Sequence, residues 1–240
     1  MMADWQLLPK NGLRFYRLEP SSGIELWFST RRGSDNDSDH NMGIGDQLVR
    51  LGIQTSPVSM NQTHSNTVER VERSGEVQAD ACFTTQANLA LSVRVADCVP
   101  IFLWDGDNSF VGIVHAGWRG TLAKIALRFT EKVEKEMGTG AHRLNYALGP
   151  SIGRCCYKVG EEILDAFKQT WPEAQRFFSR NRDGLFLDLR AANRFLLSAA
   201  GAVEGKSLDL CTSCERKRFY SYRREPGDGR NWGFIIRTDK

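Results

Sequence analysis

The sequence predicts a mixed α/β (α+β) fold, with layered mixed β-sheets flanked by helices and a single domain spanning residues 1–240. Three observations predict it. A chain of 240 residues is a size that one α/β domain can reach while burying a sizeable core. Hydrophobic residues make up 41% and charged residues 25%, as in ordinary globular proteins. Short apolar runs suited to strands dominate the first half, whereas helical spacing interleaves later. That order fits layered sheets and helices better than regular βαβ alternation.

The elements follow in order. Residues Ile24–Ser29 form an alternating, aromatic-rich strand pattern. The polar stretch Arg31–Gly43, RRGSDNDSDHNMG, reads as an exposed loop. Ala90–Val95 and Val99–Trp104 are apolar and β-branched, and Phe110–His115 and Leu144–Leu148 continue the series. From about Thr121 to Met137 the apolar positions Leu122, Ile125, Ala126, Phe129, Val133 and Met137 fall three or four apart, with Gly138 as a stop; this predicts a helix. A second helix is expected over Glu161–Thr170. A third is expected after the cap Asp188, with Leu189, Ala192, Phe195, Leu196 and Ala199 on one face and Gly201 beyond it. Phe219–Tyr222 and Trp232–Arg237 read as a hairpin around PGDG.

Composition removes several function classes. A net charge of +3 is too mild to argue for nucleic acid without a concentrated basic face. Asp4 in MMADWQLLPK argues against a signal peptide. The most apolar stretch, Leu89–Trp104, is interrupted by Arg94, Asp97 and Pro100 and does not read as a membrane span. The expected compartment is the cytoplasm, where the six cysteines would be thiols or metal ligands rather than disulfides.

Two of the four histidines sit in distinctive settings. His64 lies in MNQTHSNTV, and His115 ends the strand FVGIVH before the turn AGWRG. Cys98 lies in VADCVP between two apolar runs. Imidazole and thiolate are zinc ligands, but these separations match no short zinc-finger pattern. Spacing leaves two readings open: a shared metal, or a buried structural cysteine beside two hydrogen-bonded histidines.

The blocks VADCVPIFLWD, VGIVHAGWRGT, LGPSIGRCCYKVGEEI and FYSYRREPGDGR resemble the YfiH-type laccase-domain family. That family is also called multicopper polyphenol oxidoreductase-like, and it includes bacterial purine nucleoside phosphorylases. The blocks run in order from about Gln62 to Ile236. The resemblance implies a YfiH-like fold and metal ligands at the His of Q-x-H, the Cys of ADC and the His of HAGWRG, which fall on His64, Cys98 and His115. Before Gln62 the pattern departs: only Ser29, Thr30, Arg31 and a rough Asn41–Met42–Gly43 counterpart remain, in a shortened segment.

Three ligands leave one tetrahedral position on zinc open, the mark of a catalytic site. Bound water there can be acidified into a nucleophile, for attack on C6 of adenosine. The turn after His115 leads into a helix whose N-terminus suits an anion, and Arg119 beside it can grip phosphate. Arg119 can equally tie the turn to a carboxylate. Gln62 and Asn61 can reach a sugar or base or simply complete their turn. Asp97 can orient a ligand histidine or cap backbone. The resemblance therefore implies a zinc-dependent enzyme, with copper as the other metal, that splits adenosine, inosine, guanosine or methylthioadenosine with phosphate and also deaminates adenosine. Its expected partners are a purine nucleoside and phosphate, with no nucleic acid and no membrane. Three alternatives stand beside it: a copper-dependent polyphenol oxidase, a cell-wall precursor editing hydrolase, and a non-catalytic metal-binding module.

Other features are set aside. Cys211 and Cys214 form a lone CxxC, and adjacent Cys155–Cys156 do not readily supply the second pair of a zinc ribbon. The basic and aromatic Glu215–Arg230 stretch is diluted by acids and claimed by the fold. Met60 reads as core rather than as an axial copper ligand.

Overall fold

The computed structural model describes residues 4–31, 43–227 and 229–239. Strands β1 (Gln6–Lys10), β2 (Leu13–Ser21) and β3 (Ile24–Ser29) form an antiparallel meander, followed by helix α1 (Ile44–Leu51). Next come β4 (Val58–Met60), β5 (Val68–Arg70), β6 (Gly75–Val77), β7 (Ala81–Thr84), β8 (Leu91–Val95), β9 (Val99–Asp105) and β10 (Val111–Ala116). Helices α2 (Trp118–Leu122) and α3 (Ile125–Met137) lead to β11 (Leu144–Leu148), β12 (Lys158–Val159) and α4 (Glu161–Thr170). The chain continues through β13 (Phe178–Asn181), β14 (Gly184–Leu187), α5 (Leu189–Ala200), β15 (Val203–Glu204) and β16 (Asn231–Arg237).

These strands build a seven-stranded sheet in the order β1-β2-β3-β16-β8-β4-β6 and a six-stranded sheet in the order β15-β11-β9-β10-β7-β5. A three-stranded sheet, β12-β14-β13, stands apart. Strand alternation explains how the two large sheets are layered. On β9, Phe102 and Trp104 meet Phe28, Leu91 and Val93 of the first sheet. The alternate residues Ile101 and Leu103 face the other way and join Phe129 of α3 and Leu196 of α5. All seven residues of β9 are buried, as expected for a strand covered on both faces. On the outer side of the first sheet, Leu48 of α1 packs with Phe15, Trp27 and Phe234. The order of layers is therefore helix, sheet, sheet, helices.

Most expected elements form where the sequence places them. Asp188 caps α5 by accepting from the Ala191 amide, and Gly201 ends the helix in the left-handed region. Two expectations are corrected. The helix expected from Thr121 to Met137 starts at Trp118 and divides at Lys124, whose φ of 59° breaks the helical run. The expected hairpin does not form, because Phe219–Tyr222 is irregular and β16 pairs instead with β3 and β8. Asn231 accounts for the difference. Its side chain accepts from the Tyr220 amide and donates to the Tyr220 and Val95 carbonyls, so side-chain bonds replace a ladder. Within the Arg31–Gly43 loop expectation, residues 32–42 lie outside the described residues.

Candidate metal centre and its cleft

The β8–β9 connection carries the chain from the first large sheet to the second, through Asp97 and Cys98. By alternation Cys98 shares the inter-sheet side of β9 with Phe102 and Trp104, and it packs against their cluster. On β10, His115 follows Val111 and Ile113, which face the same cluster. The antiparallel register sets His115 opposite Pro100, close to Cys98. His64 arrives from the β4–β5 loop with φ 61°. One donor atom from each of His64, Cys98 and His115 lies within 4.8 Å of the others. Cys98 Sγ is 3.9 Å from His64 Nε2, and the two imidazole rings meet edge-on at 4.9 Å. Gly117 makes room for this meeting: a Cβ there would stand 2.8 Å from His64 Cδ2 and 3.0 Å from Cys98 Sγ.

A residue not singled out in the sequence organises the two histidines. Asp80 is fully buried and accepts from the backbone amides of Thr63, His64 and Ser65 and from the Ser65 hydroxyl. Its Oδ1 is 2.8 Å from His115 Nδ1. With Nδ1–H donating to Asp80, Nε2 is the His115 nitrogen left to take a ligand once it sheds its proton. The electrostatics are strongly coupled. Burial alone would raise the Asp80 pKa, but the bonds from His115 and Ser65 outweigh it and hold the carboxyl well below its ordinary range. Burial likewise raises the Cys98 thiol, yet the adjacent His115 and His64 bring it down to about 6. Burial lowers His115, and the Cys98 thiolate with Asp80 lifts it to about 9.

Two imidazoles and a thiolate match the donor types and number of an open zinc site. Zinc–ligand distances imply donor–donor edges of about 3.3–3.6 Å. The 3.9 Å between Cys98 and His64 is slightly wider than such an edge, and the donor types and number fit the ion.

The triad lines a cleft of about 520 Å³. Trp118, Tyr157 and Tyr222 give it aromatic surface, and Arg94, Arg119, Arg223 and Arg230 give it positive charge. All four of these arginines have internal partners. Arg94 lies over Trp232, Arg223 donates to the Lys158 carbonyl, and Arg230 donates to the Gly227 and Gly229 carbonyls. Arg119 lies over Trp118 at 4.3 Å, and the carboxylate tie considered for it is absent among the described residues. Gln62 lines the cleft while its amide bonds the Arg94 backbone of β8 in both directions, and Asn61 bonds Gln78; both tie their loop to other segments of the chain. Asp97 does not orient a histidine. It accepts from the Thr212 hydroxyl and the Arg223 amide, while Asp80 holds His115. Met60 is core. His142 lies on the 3-10 turn Ala141–Arg143 beside Gly201, and His40 is outside the described residues.

Residues 30–238 match the model of the family described as multi-copper polyphenol oxidoreductase laccase. The chain belongs to this family. Among curated relatives in the family, the chain is 33% identical to adenosine deaminase RL5 from an unknown prokaryotic organism, over 84% of this chain and 89% of the relative. It is also 33% identical to the purine nucleoside phosphorylase YlmD of Bacillus subtilis, over 74% of this chain and 69% of the relative. The fold is that of solved family structures. YlmD from Geobacillus stearothermophilus superposes with a TM-score of 0.86 at 27% identity, covering 99% of this chain and all of that one. The hypothetical protein YfiH from Bacillus licheniformis gives 0.84 at 27% identity, covering 98% and 99%. The names within the family support a nucleoside-processing role. Among the described residues, no helix is long and apolar enough to cross a membrane.

Proposed function

We propose that the protein is a metal-dependent purine nucleoside phosphorylase acting on adenosine, inosine, guanosine or methylthioadenosine, with His64, Cys98 and His115 holding zinc. The observation that carries this is the convergence of two imidazoles and a thiol within 4.8 Å in a cleft that also holds Arg119 and aromatic walls. When bound, the ion supplies Lewis acidity toward an oxygen in the cleft. Cys98 and Asp80 carry negative charge to balance it, and Asp80 fixes the donor nitrogen of His115.

Phosphorolysis breaks the bond from C1′ to the purine nitrogen and makes one from C1′ to a phosphate oxygen. The purine departs with the electron pair and takes up a proton. Arg119 binds the phosphate, as a planar guanidinium with no carboxylate partner among the described residues suits that anion. Tyr222, an exposed ring on the cleft, offers a face for the purine. Burial, reinforced by the nearby Cys98 thiolate, raises the Tyr157 phenol above its ordinary value despite Arg223. Tyr157 therefore stays protonated and can donate to the substrate.

Adenosine deamination is the second activity in this proposal, supported by the 33% identity to a relative named adenosine deaminase over 84% of the chain. The whole of 1–240 acts as one catalytic domain, working in the cytoplasm, where its six free cysteines stay reduced.

The test incubates purified protein with adenosine or inosine, with and without phosphate, and separates the products. Phosphate-dependent release of hypoxanthine from inosine is expected. Inosine formed from adenosine without phosphate, and no free base from any nucleoside, would leave only deamination. Oxygen uptake with a phenol that needs copper, and no nucleoside turnover, would replace the proposal with the oxidase.

A further inference from the structure

The cysteines set aside on spacing come together in space. Cys155 and Cys156 lie on the turn after Gly153, and Cys211 and Cys214 on the turn that follows the bridge between Ser151 and Cys211. One sulfur from each of the four lies within 4.8 Å of the others. Cys214 Sγ is 3.6 Å from Cys155 Sγ and 3.4 Å from Cys156 Sγ. Adjacent residues on a tight turn can aim side chains at one point, which their sequence spacing hides.

We propose that Cys155, Cys156, Cys211 and Cys214 form a second, tetrathiolate zinc site that is structural, with all four tetrahedral positions filled by protein. The sulfur spacing carries the proposal. Zinc–sulfur bonds of about 2.3 Å imply sulfur–sulfur edges of about 3.8 Å, and the two edges at Cys214 fall just inside that. A disulfide needs about 2.05 Å, and all four cysteines are free. One sulfur already has the bond that a metal thiolate accepts, since the Gly153 amide donates to Cys211 Sγ at 3.2 Å.

The position gives the site a purpose. Residues 205–230 join β15 to β16 with no helix or strand among the described residues, and a connection of that length needs anchoring. The cluster pins it to the 153–157 turn. Both segments supply the cleft wall, Tyr157 from one and Tyr222 and Arg223 from the other. Arg224 braces the same knuckle through the Thr212 and Ser213 carbonyls. Thr212 binds Asp97, the residue before Cys98. The second ion would thus hold the substrate-facing wall in register with the first site without touching substrate.

The test measures zinc per chain by mass spectrometry in full-length protein prepared with zinc under reducing conditions. About two zinc ions per chain are expected, falling to about one in a His64→Ala, Cys98→Ser double variant. Zinc-edge X-ray absorption of that double variant should then show sulfur ligands only, near ~2.3 Å. Cys214→Ser in the otherwise native chain should lose one equivalent and keep the other. A zinc-free double variant would overturn the proposal, as would nitrogen or oxygen ligands in its zinc spectrum or an intact mass showing a disulfide among the four. Because the double variant removes the first site, failure here is distinct from failure of the catalytic proposal. Should Cys214→Ser not fold, the double variant still decides.

Discussion

Asp80 shows how much of the site depends on one carboxylate. It fixes the backbone of residues 63–65 and the tautomer of His115 together. Asp80→Asn keeps the shape but offers an amide where two acceptor oxygens are needed. We expect zinc affinity to fall about 10- to 100-fold, read by competition with a chromogenic chelator on folded protein. Arg119→Ala tests a different role. Losing a charged hydrogen bond is worth about 1.5–3 kcal/mol, so the phosphate KM should rise roughly 10- to 150-fold. Zinc content and phosphate-independent deamination should not change, and an unaltered KM would remove Arg119 from the phosphate site. The convergence of His64, Cys98 and His115 was legible through the family motifs in which each sits. Asp80 was not: its partners are backbone amides and a ring nitrogen, and nothing in QADACF marks such a carboxylate. Cys155 and Cys156 misled for a related reason, since a ligand pattern reads spacing whereas a turn supplies convergence.

Strong periodicity read well at the scale of elements. Glu161–Thr170 and Leu144–Leu148 match α4 and β11 residue for residue. Two kinds of element were lost. The β1–β2 hairpin turns at Asn11–Gly12, both at positive φ, and carries the Asn-Gly signal of a tight hairpin that the strand assignment passed over. The short strands β4 to β7 hold three or four residues each, too few for alternation to declare itself, and their pairing is set by the sheets around them. The packing of α3 on β10 gives the test at this scale. Gly112 lies under Phe129, and a Cβ there would stand 2.2 Å from Phe129 Cζ. Gly112→Ala should cost about 1–3 kcal/mol through overpacking. Phe129→Leu alone should also destabilise by leaving space in the core, but the double variant should be more stable than the two losses sum to, because the smaller side chain accepts the added methyl. Urea unfolding of the four chains checks this, and strict additivity would mean that α3 does not press on β10 at this point.

The first site joins parts of the whole molecule that strand pairing does not. His64 comes from the loop after β4 of the first large sheet, Cys98 from the crossover between the sheets, and His115 from the second. The cysteine cluster joins the Gly153 turn to the 205–230 connection, far apart in sequence. An ion at either place binds the folded chain and not the dispersed ligands, so loading must raise stability by mass action. Free zinc at a hundredfold over the dissociation constant contributes about 2.7 kcal/mol per site. For a chain of this length that corresponds to a shift in Tm of about 5–10 °C. Calorimetry with and without a chelator should therefore show two separable losses. Wild type should lose the larger amount on chelation. The His64→Ala, Cys98→Ser chain should lose only the share of the cysteine cluster, and Cys214→Ser only the share of the triad. A chelator that leaves the Tm of the double variant unchanged would show that the 205–230 connection is held by its hydrogen bonds, with Arg224 and Asn231 sufficient to keep the cleft wall in place.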